Sequence, residues 1–391
     1  MKNKNPLLRR DTALLMRLRL HTFSCFFFAL VFGILVPSLA YARVLDPKTV
    51  GPWPLVAPEN LGIKPDKLAR ALDYIQSNAG DDGISQTLIL HGNKAVFAGS
   101  RVDVVHNVYS VTKSFTSTAL ALLIAENKAT LDTLICDIDA QYCDAYPQVS
   151  LRHLATMTSG YNASGENRWQ ENSEDWSVTP FASGTPLFPP GTAFAYWDEA
   201  MIVFGDVLTQ LAQQSLYDYL NEKLMQPMQI TNWKWWHETN RPHGYTMNYG
   251  AGGIELSAID LAKYGSLMLN GGKWQQNGEA KRLISKQWVE AASRNQIPLS
   301  IKTADTDRKS IDGVGYYGFN WWVNGVNASG QRQMPNAPSD TYYARGFNNN
   351  MLFIIPQWNM VIVRMGMDDE KRIDKVAFYN EFFGLLREAV E

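Results

Sequence analysis

Cysteine is scarce in this chain, with three among 391 residues. Cys25 lies in an apolar N-terminal stretch, so only Cys136 and Cys143, in CDIDAQYC, remain beyond it. No histidine or third cysteine lies near that loop, and no His/Asp/Glu cluster elsewhere has ligand spacing, which argues against a metal site. Positive charge is not in excess either: 36 Lys and Arg stand against 38 Asp and Glu. A nucleic-acid binder carries a basic excess or patch, so that class is excluded. Repeats, low-complexity tracts and linker-like stretches are missing. The 46% of hydrophobic residues suffices for one large domain or two medium ones. The chain also lacks a Gly-x-Ser-x-Gly elbow, which disfavours a Ser-His-Asp triad of that type.

One long apolar run is present. TFSCFFFALVFGILVPSLAYA follows basic KNKNPLLRR and RLRL and ends in Ala40-Tyr41-Ala42. A basic start, an apolar core and a small-x-small site predict a secretory signal over residues 1–42. The basic region is long, so an uncleaved membrane anchor is the alternative. Residues 1–42 hold six Lys/Arg and one Asp, which leaves 30 basic and 37 acidic residues, a net charge of −7. Export to an oxidising compartment, the periplasm for a bacterial signal, makes a Cys136–Cys143 disulfide the expected state, with two buried thiols as the alternative.

The remaining chain, 43–391, reads as one domain. SQTLILHGNKAVFAGS (85–100) predicts two strands around a His-Gly-Asn turn. Residues 110–126 predict a helix with Phe115, Ala119, Leu122 and Leu123 along one stripe. Further helices are predicted over 149–161, stopped by Ser159-Gly160, over 199–215, and over 257–272, ended by Gly271-Gly272. Strand patterns return at 315–324, 350–356 and 359–366. Strands at both ends predict one sheet built from about 43–109 and 285–391, with a mainly helical insertion over about 110–284. The tryptophans at 232–238 and 319–323 fit core packing, and some fit a substrate cleft.

The chemistry starts at NVYSVTKSF. Ser110 and Lys113 are three apart, which places them on one face of a helix. A serine hydroxyl is a poor nucleophile until a neighbour takes its proton, and a lysine with a lowered pKa can do so. The helix N-terminus also brings the Ser110 N–H near a developing oxyanion. The stretch alone fits a capping serine and a solvated lysine as well. PPGTAFAYWDEA adds Tyr196, a phenol able to relay protons beside an ammonium, and Asp198 two residues on. YYARGFNNNMLFIIPQ adds a glycine inside a strand-like run, a mark of close approach by a backbone or ligand. An exposed edge there would bind an extended acyl group. His153, in LRHLATMTSG, fits a structural role, and His91 and His106 have no motif partner.

Together YSVTKSFTS, LRHLATMTSGY, PPGTAFAYWD, GAGGIELSAIDLAKYGSLMLNGG and ARGFNNNMLFIIPQWNMVIVRMG resemble, in order, the serine hydrolases of the class C β-lactamase and penicillin-binding-protein fold. The likeness covers about residues 55–388. It implies an α/β (α+β) fold with an antiparallel sheet flanked by helices. It implies Ser110 as the acylated nucleophile, Lys113 as its partner and Tyr196 as the tyrosine of the Tyr-x-Asn motif. Ala344-Arg345-Gly346 stands at the Lys-Thr-Gly position, and the N–H groups of Ser110 and Phe347 form the oxyanion hole. Asp198, Arg345 and Gly346 are the expected substrate-binding residues.

Two departures shift the expected substrate. Asp198 replaces the usual Asn, and Ala344-Arg345 replaces the Lys-Thr that holds a β-lactam carboxylate. The strand is closer to the esterase and 6-aminohexanoate-dimer hydrolase branch. The expectation is an exported serine hydrolase acting on a small-molecule ester or amide, without metal or organic cofactor. Its contact with a membrane is only through an uncleaved N-terminus. A β-lactamase or D-Ala-D-Ala carboxypeptidase, and a non-catalytic receptor or scaffold on the same fold, are the alternatives.

Overall fold

Three tight reversals organise the central sheet. The computed structural model describes residues 49–164, 179–276, 278–306, 308–367 and 375–391. The predicted export segment, 1–42, lies outside the described residues. Strand β1 (Gln86–His91) turns through Gly92, at φ 58°, into β2 (Lys94–Ala98). That left-handed conformation favours glycine over the other residues. Late in the chain come β3 (Trp322–Val323), β4 (Tyr342–Gly346), β5 (Asn350–Ile355) and β6 (Met360–Met365). The order is β3-β4-β5-β6-β1-β2, with every pair antiparallel. The sheet therefore joins both ends of the chain, as the strand patterns predict.

Side chains alternate along β5 and meet different layers. Phe353 packs on one face, its ring 4.8 Å from Tyr379 and 5.1 Å from Phe383. Those rings belong to the C-terminal helix Lys375–Val390, which lies beside α1 (Pro65–Asn78). Leu352 points the other way, toward the helix Ala258–Leu269. A Cβ on Gly265 of that helix would fall 2.7 Å from Leu352 and 2.6 Å from Val361, so glycine lets the helix lie directly on the sheet. Each large apolar side chain buried in these layers contributes about 1.5–3 kcal/mol.

Helix α2 (Thr112–Ala125) and helix α3 (Asp198–Ala212) pack against each other in the helical part. The expected single apolar stripe on α2 is not what forms. Every residue from Thr112 to Leu123 is buried. The polar ones are satisfied by carbonyls: Ser114 donates to Asn320 O, Thr116 to Gly250 O and Ser117 to Phe319 O. A central helix buries all its sides when its hydroxyls find such partners.

Two other expectations fail locally. The helix expected over 149–161 is only Leu151–Ala155, because Met157 turns to φ 59°. The strand expected over 315–324 shrinks to Trp322–Val323, since Gly315 (φ 87°) and Asn320 (φ 55°) fold the preceding run into turns. Cys136 and Cys143 are joined as a disulfide, with Cα atoms 4.7 Å apart.

Candidate active site

The site begins at a corner in the backbone. Strand His106–Asn107 pairs antiparallel with Ile254–Leu256. Tyr109 then takes φ 50°. A non-glycine residue in that region costs about 1–3 kcal/mol. The Tyr109 N–H donates to Asn107 Oδ1 at 2.7 Å, which offsets part of the cost. One 3-10 turn, Tyr109–Val111, follows and runs into α2. Ser110 therefore sits at the mouth of α2, and Lys113 in its first turn.

Lys113 is 1% exposed, donates to two acceptors and pairs with one carboxylate. Its Nζ is 2.9 Å from Ser110 Oγ, 2.8 Å from the Ala251 carbonyl and 2.6 Å from Asp198 Oδ1. The carboxylate balances a charge that burial would otherwise leave uncompensated. It also lies over the Tyr196 ring, 4.9 Å from its centre. Tyr196 stacks on Trp322 at 5.7 Å, and the Arg345 guanidinium lies 4.3 Å from the Trp322 ring centre. Asp198 opens α3, where the helix dipole favours a carboxylate. Its Oδ2 is 3.1 Å from Arg308. Burial pushes the Asp198 carboxyl up, but the Lys113 and Arg308 cations outweigh it and hold the group below its ordinary 3.8.

The opposite wall is the end of β4. Strand β3 pairs only with Tyr342 and Tyr343, so among the described residues no strand covers the outer edge at Ala344–Gly346. That edge lies against the Ser110 turn instead. A Cβ on Gly346 would stand 2.2 Å from the Val108 carbonyl oxygen and 3.3 Å from Ser110 N. Lys375 donates from the C-terminal helix to the Gly346 carbonyl. Ser110, Tyr196, Asp198, Arg308, Arg345, Gly346 and Lys375 line a cleft of about 530 Å³ with Asn107, Trp236, Tyr249 and Phe347. Among the described residues, no group of three His, Cys, Asp or Glu side chains is arranged to hold a metal ion.

The family model described as Beta-lactamase matches residues 83–381. The chain belongs to the beta-lactamase family. Its fold is shared by solved structures of low identity. The "Putative 6-aminohexanoate-dimer hydrolase from Bacillus anthracis" superposes with a TM-score of 0.63 at 17% identity, covering 88% of this chain and 90% of that one. A "putative beta-lactamase from Bacteroides dorei DSM 17855" gives 0.62 at 17%, covering 84% and 98%. EstCE1, described as a hydrolase with promiscuous acyltransferase activity, gives 0.60 at 16%, covering 83% and 98%.

Within this beta-lactamase-family fold, Ser110, Tyr196, Asp198, Arg345, Gly346 and Phe347 all line one cleft, and Lys113 contacts Ser110 and Asp198 from beneath. Asp198 is engaged by two cations of the protein itself, and Arg345 is stacked on Trp322. His153 caps its short helix with Ser150, and His106 pairs with Gln86 at 2.9 Å. Sequence reasoning missed Ala251, Arg308 and Lys375, while Trp236 is one of the 232–238 tryptophans for which packing or a cleft was expected. Ala251 had a signal, the Gly-Ala-Gly-Gly run at 250–253. A Cβ on Gly250 would fall 2.2 Å from the Met201 carbonyl, so that run must press against α3. Arg308 carries no local motif, and only the folded chain brings it to Asp198.

Proposed function

We propose that this chain is a serine hydrolase that cleaves an ester or amide through an acyl-enzyme on Ser110. The observation that carries the reading is the 2.9 Å hydrogen bond between Lys113 Nζ and Ser110 Oγ, on the floor of a cleft large enough for a small substrate. The resting ammonium must first lose a proton. The Lys113/Tyr196 pair then takes the Ser110 proton as Oγ bonds to the carbonyl carbon, and the carbonyl electrons move onto oxygen. The N–H groups of Ser110 and Phe347 donate hydrogen bonds to that oxyanion. Collapse breaks the bond to the leaving group, which takes a proton from Tyr196. Water, deprotonated by the same pair, then releases the acid and regenerates Ser110.

A fluorophosphonate probe tests this. Wild-type protein is expected to be labelled and Ser110→Ala to be spared; equal labelling of both would refute the assignment. The β-lactamase alternative loses support from Ala344 and from Arg345, whose guanidinium stacks on Trp322. Turnover of a chromogenic cephalosporin would restore it. A scaffold role would be favoured by absence of acylation across esters, linear amides, β-lactams and D-amino-acid peptides. Export through residues 1–42 is part of the proposal, and N-terminal sequencing of the mature protein tests it.

A further inference from the structure

The described residues expose few large apolar side chains: Leu55, Trp236, Leu299, Phe347 and Met367. Trp236, at 52% exposure, and Phe347, at 47%, both line the cleft that holds Ser110. Met367 comes within 3.9 Å of Asn348, the residue after Phe347. Exposed apolar surface gathered at a cleft mouth marks binding, whereas single exposed apolar residues need no explanation.

Both rings are held in place. Trp236 lies on Gly253, where a Cβ would fall 2.6 Å from the tryptophan Cβ and Cγ. Gly253 has φ 91°, and the Trp236 N–H donates to its carbonyl at 3.1 Å. Only a glycine at 253 allows the indole to occupy that position. The support runs in the same Gly-rich segment whose Ala251 carbonyl binds Lys113, which fixes the indole relative to the nucleophile. In the turn after β4, Phe347 meets the Tyr109 ring edge-on at 5.5 Å, and Asn348 donates to the Tyr109 hydroxyl at 3.2 Å. A rigid, water-facing aromatic surface gives an apolar ligand its burial at low entropic cost.

The cleft's cations outnumber its one lining carboxylate, Asp198, so its charge does not exclude an anionic group on the substrate. Lys113 and Arg308 share Asp198, Lys375 binds the Gly346 carbonyl and Arg345 stacks on Trp322. The charged groups beside Tyr196 face the leaving group in the proposed mechanism, so the aromatic walls are left to the acyl portion. We infer that the substrate is an ester or amide with an apolar acyl group of roughly six or more carbons, laid across Trp236 and Phe347. This rests on the acyl-enzyme reading above.

The test is kcat/KM for p-nitrophenyl esters from acetate to dodecanoate, beside acetate esters of alcohols of rising length. Wild-type protein is expected to prefer octanoate to acetate by about tenfold or more. Trp236→Ser and Phe347→Ser should each lower that ratio at least threefold, and Trp236→Phe should restore most of it. A flat or inverted acyl-length series in protein that the fluorophosphonate still labels overturns the substrate class and leaves the acyl-enzyme standing. So does a length dependence found only in the alcohol series, or a ratio unmoved in both serine variants. Protein that is neither labelled nor active on any ester overturns both readings.

Discussion

Asp198 lies 2.6 Å from Lys113, and its carboxylate pairs with the lysine that donates to Ser110 Oγ. An asparagine at this position would offer the lysine an uncharged acceptor. The carboxylate offers a full negative charge at the same distance, in a site where water screens it little. It shares that charge with Arg308, 3.1 Å from its other oxygen.

Asp198→Asn removes the common counter-charge of Lys113 and Arg308. Leaving the buried lysine without it should cost about 3 kcal/mol of stability at pH 7, and kcat/KM on one ester should fall with it. Melting curves and ester kinetics of wild-type and Asp198→Asn protein check this. An unchanged melting temperature would show that Asp198 is not what balances the buried lysine.

Arg308 acts on the same carboxylate from the other side, 3.1 Å from Oδ2. It is one of the two cations that hold the Asp198 carboxyl below its ordinary 3.8. Without it the carboxyl rises, so Arg308→Ala should move the acidic limb of the kcat/KM profile up, by about half a pH unit, and Arg308→Lys should return it most of the way. A loss of activity with the limb unmoved in both variants would mean that Arg308 only shapes the cleft.

Buried Asp206, on α3, gives a second pH dependence. Burial raises its carboxyl, but hydrogen bonds from His243 and Arg241 outweigh burial and hold it below the ordinary 3.8. Arg241 is bidentate, with Nε and an Nη each 2.8 Å from a carboxylate oxygen. A carboxyl lowered by folding contributes stability that is complete above its unfolded value and lost as pH falls through its folded one. Wild-type melting temperature should thus fall steeply below about pH 4. Asp206→Asn should be destabilised by about 3 kcal/mol at pH 7, because it strands Arg241, and should lose less on acidification. Parallel melting curves for wild type and variant would refute the assignment.

The sheet was legible because β1, β5 and β6 are apolar runs bounded by turn residues, a pattern set by local sequence. Ser110 and Lys113 were legible as a pair because their spacing is local too, and Gly346 because it interrupts a strand-like run. What sequence did not disclose depends on contacts distant in the chain. Nothing near Thr306 or Arg308 announces a cation for Asp198, 110 residues earlier. The polar residues of α2 could not be assigned to the interior, because their acceptors at Gly250, Phe319 and Asn320 come from other segments. The shortened helix at 151–155 reflects a left-handed Met157, a residue with no intrinsic preference for that conformation.

Gly346 offers the sharpest test of how the two halves of the site are kept together. Its backbone, at φ −126° and ψ 167°, is extended and open to any residue, so alanine adds no conformational strain there. The whole cost is contact: the new Cβ would stand 2.2 Å from the Val108 carbonyl oxygen, against about 3.4 Å for ordinary packing. Neither partner is a flexible side-chain end, so strand β4 must draw back from the Ser110 turn by on the order of 1 Å. A shift of that size at a reacting centre costs about 100-fold in rate. Gly346→Ala should therefore lower kcat/KM about 100-fold and slow fluorophosphonate labelling of Ser110. Its melting temperature should fall only slightly, since the uncovered strand edge can yield without opening the core. Near-wild-type labelling by Gly346→Ala would mean that the contact between β4 and the nucleophile's turn is not what aligns Ser110.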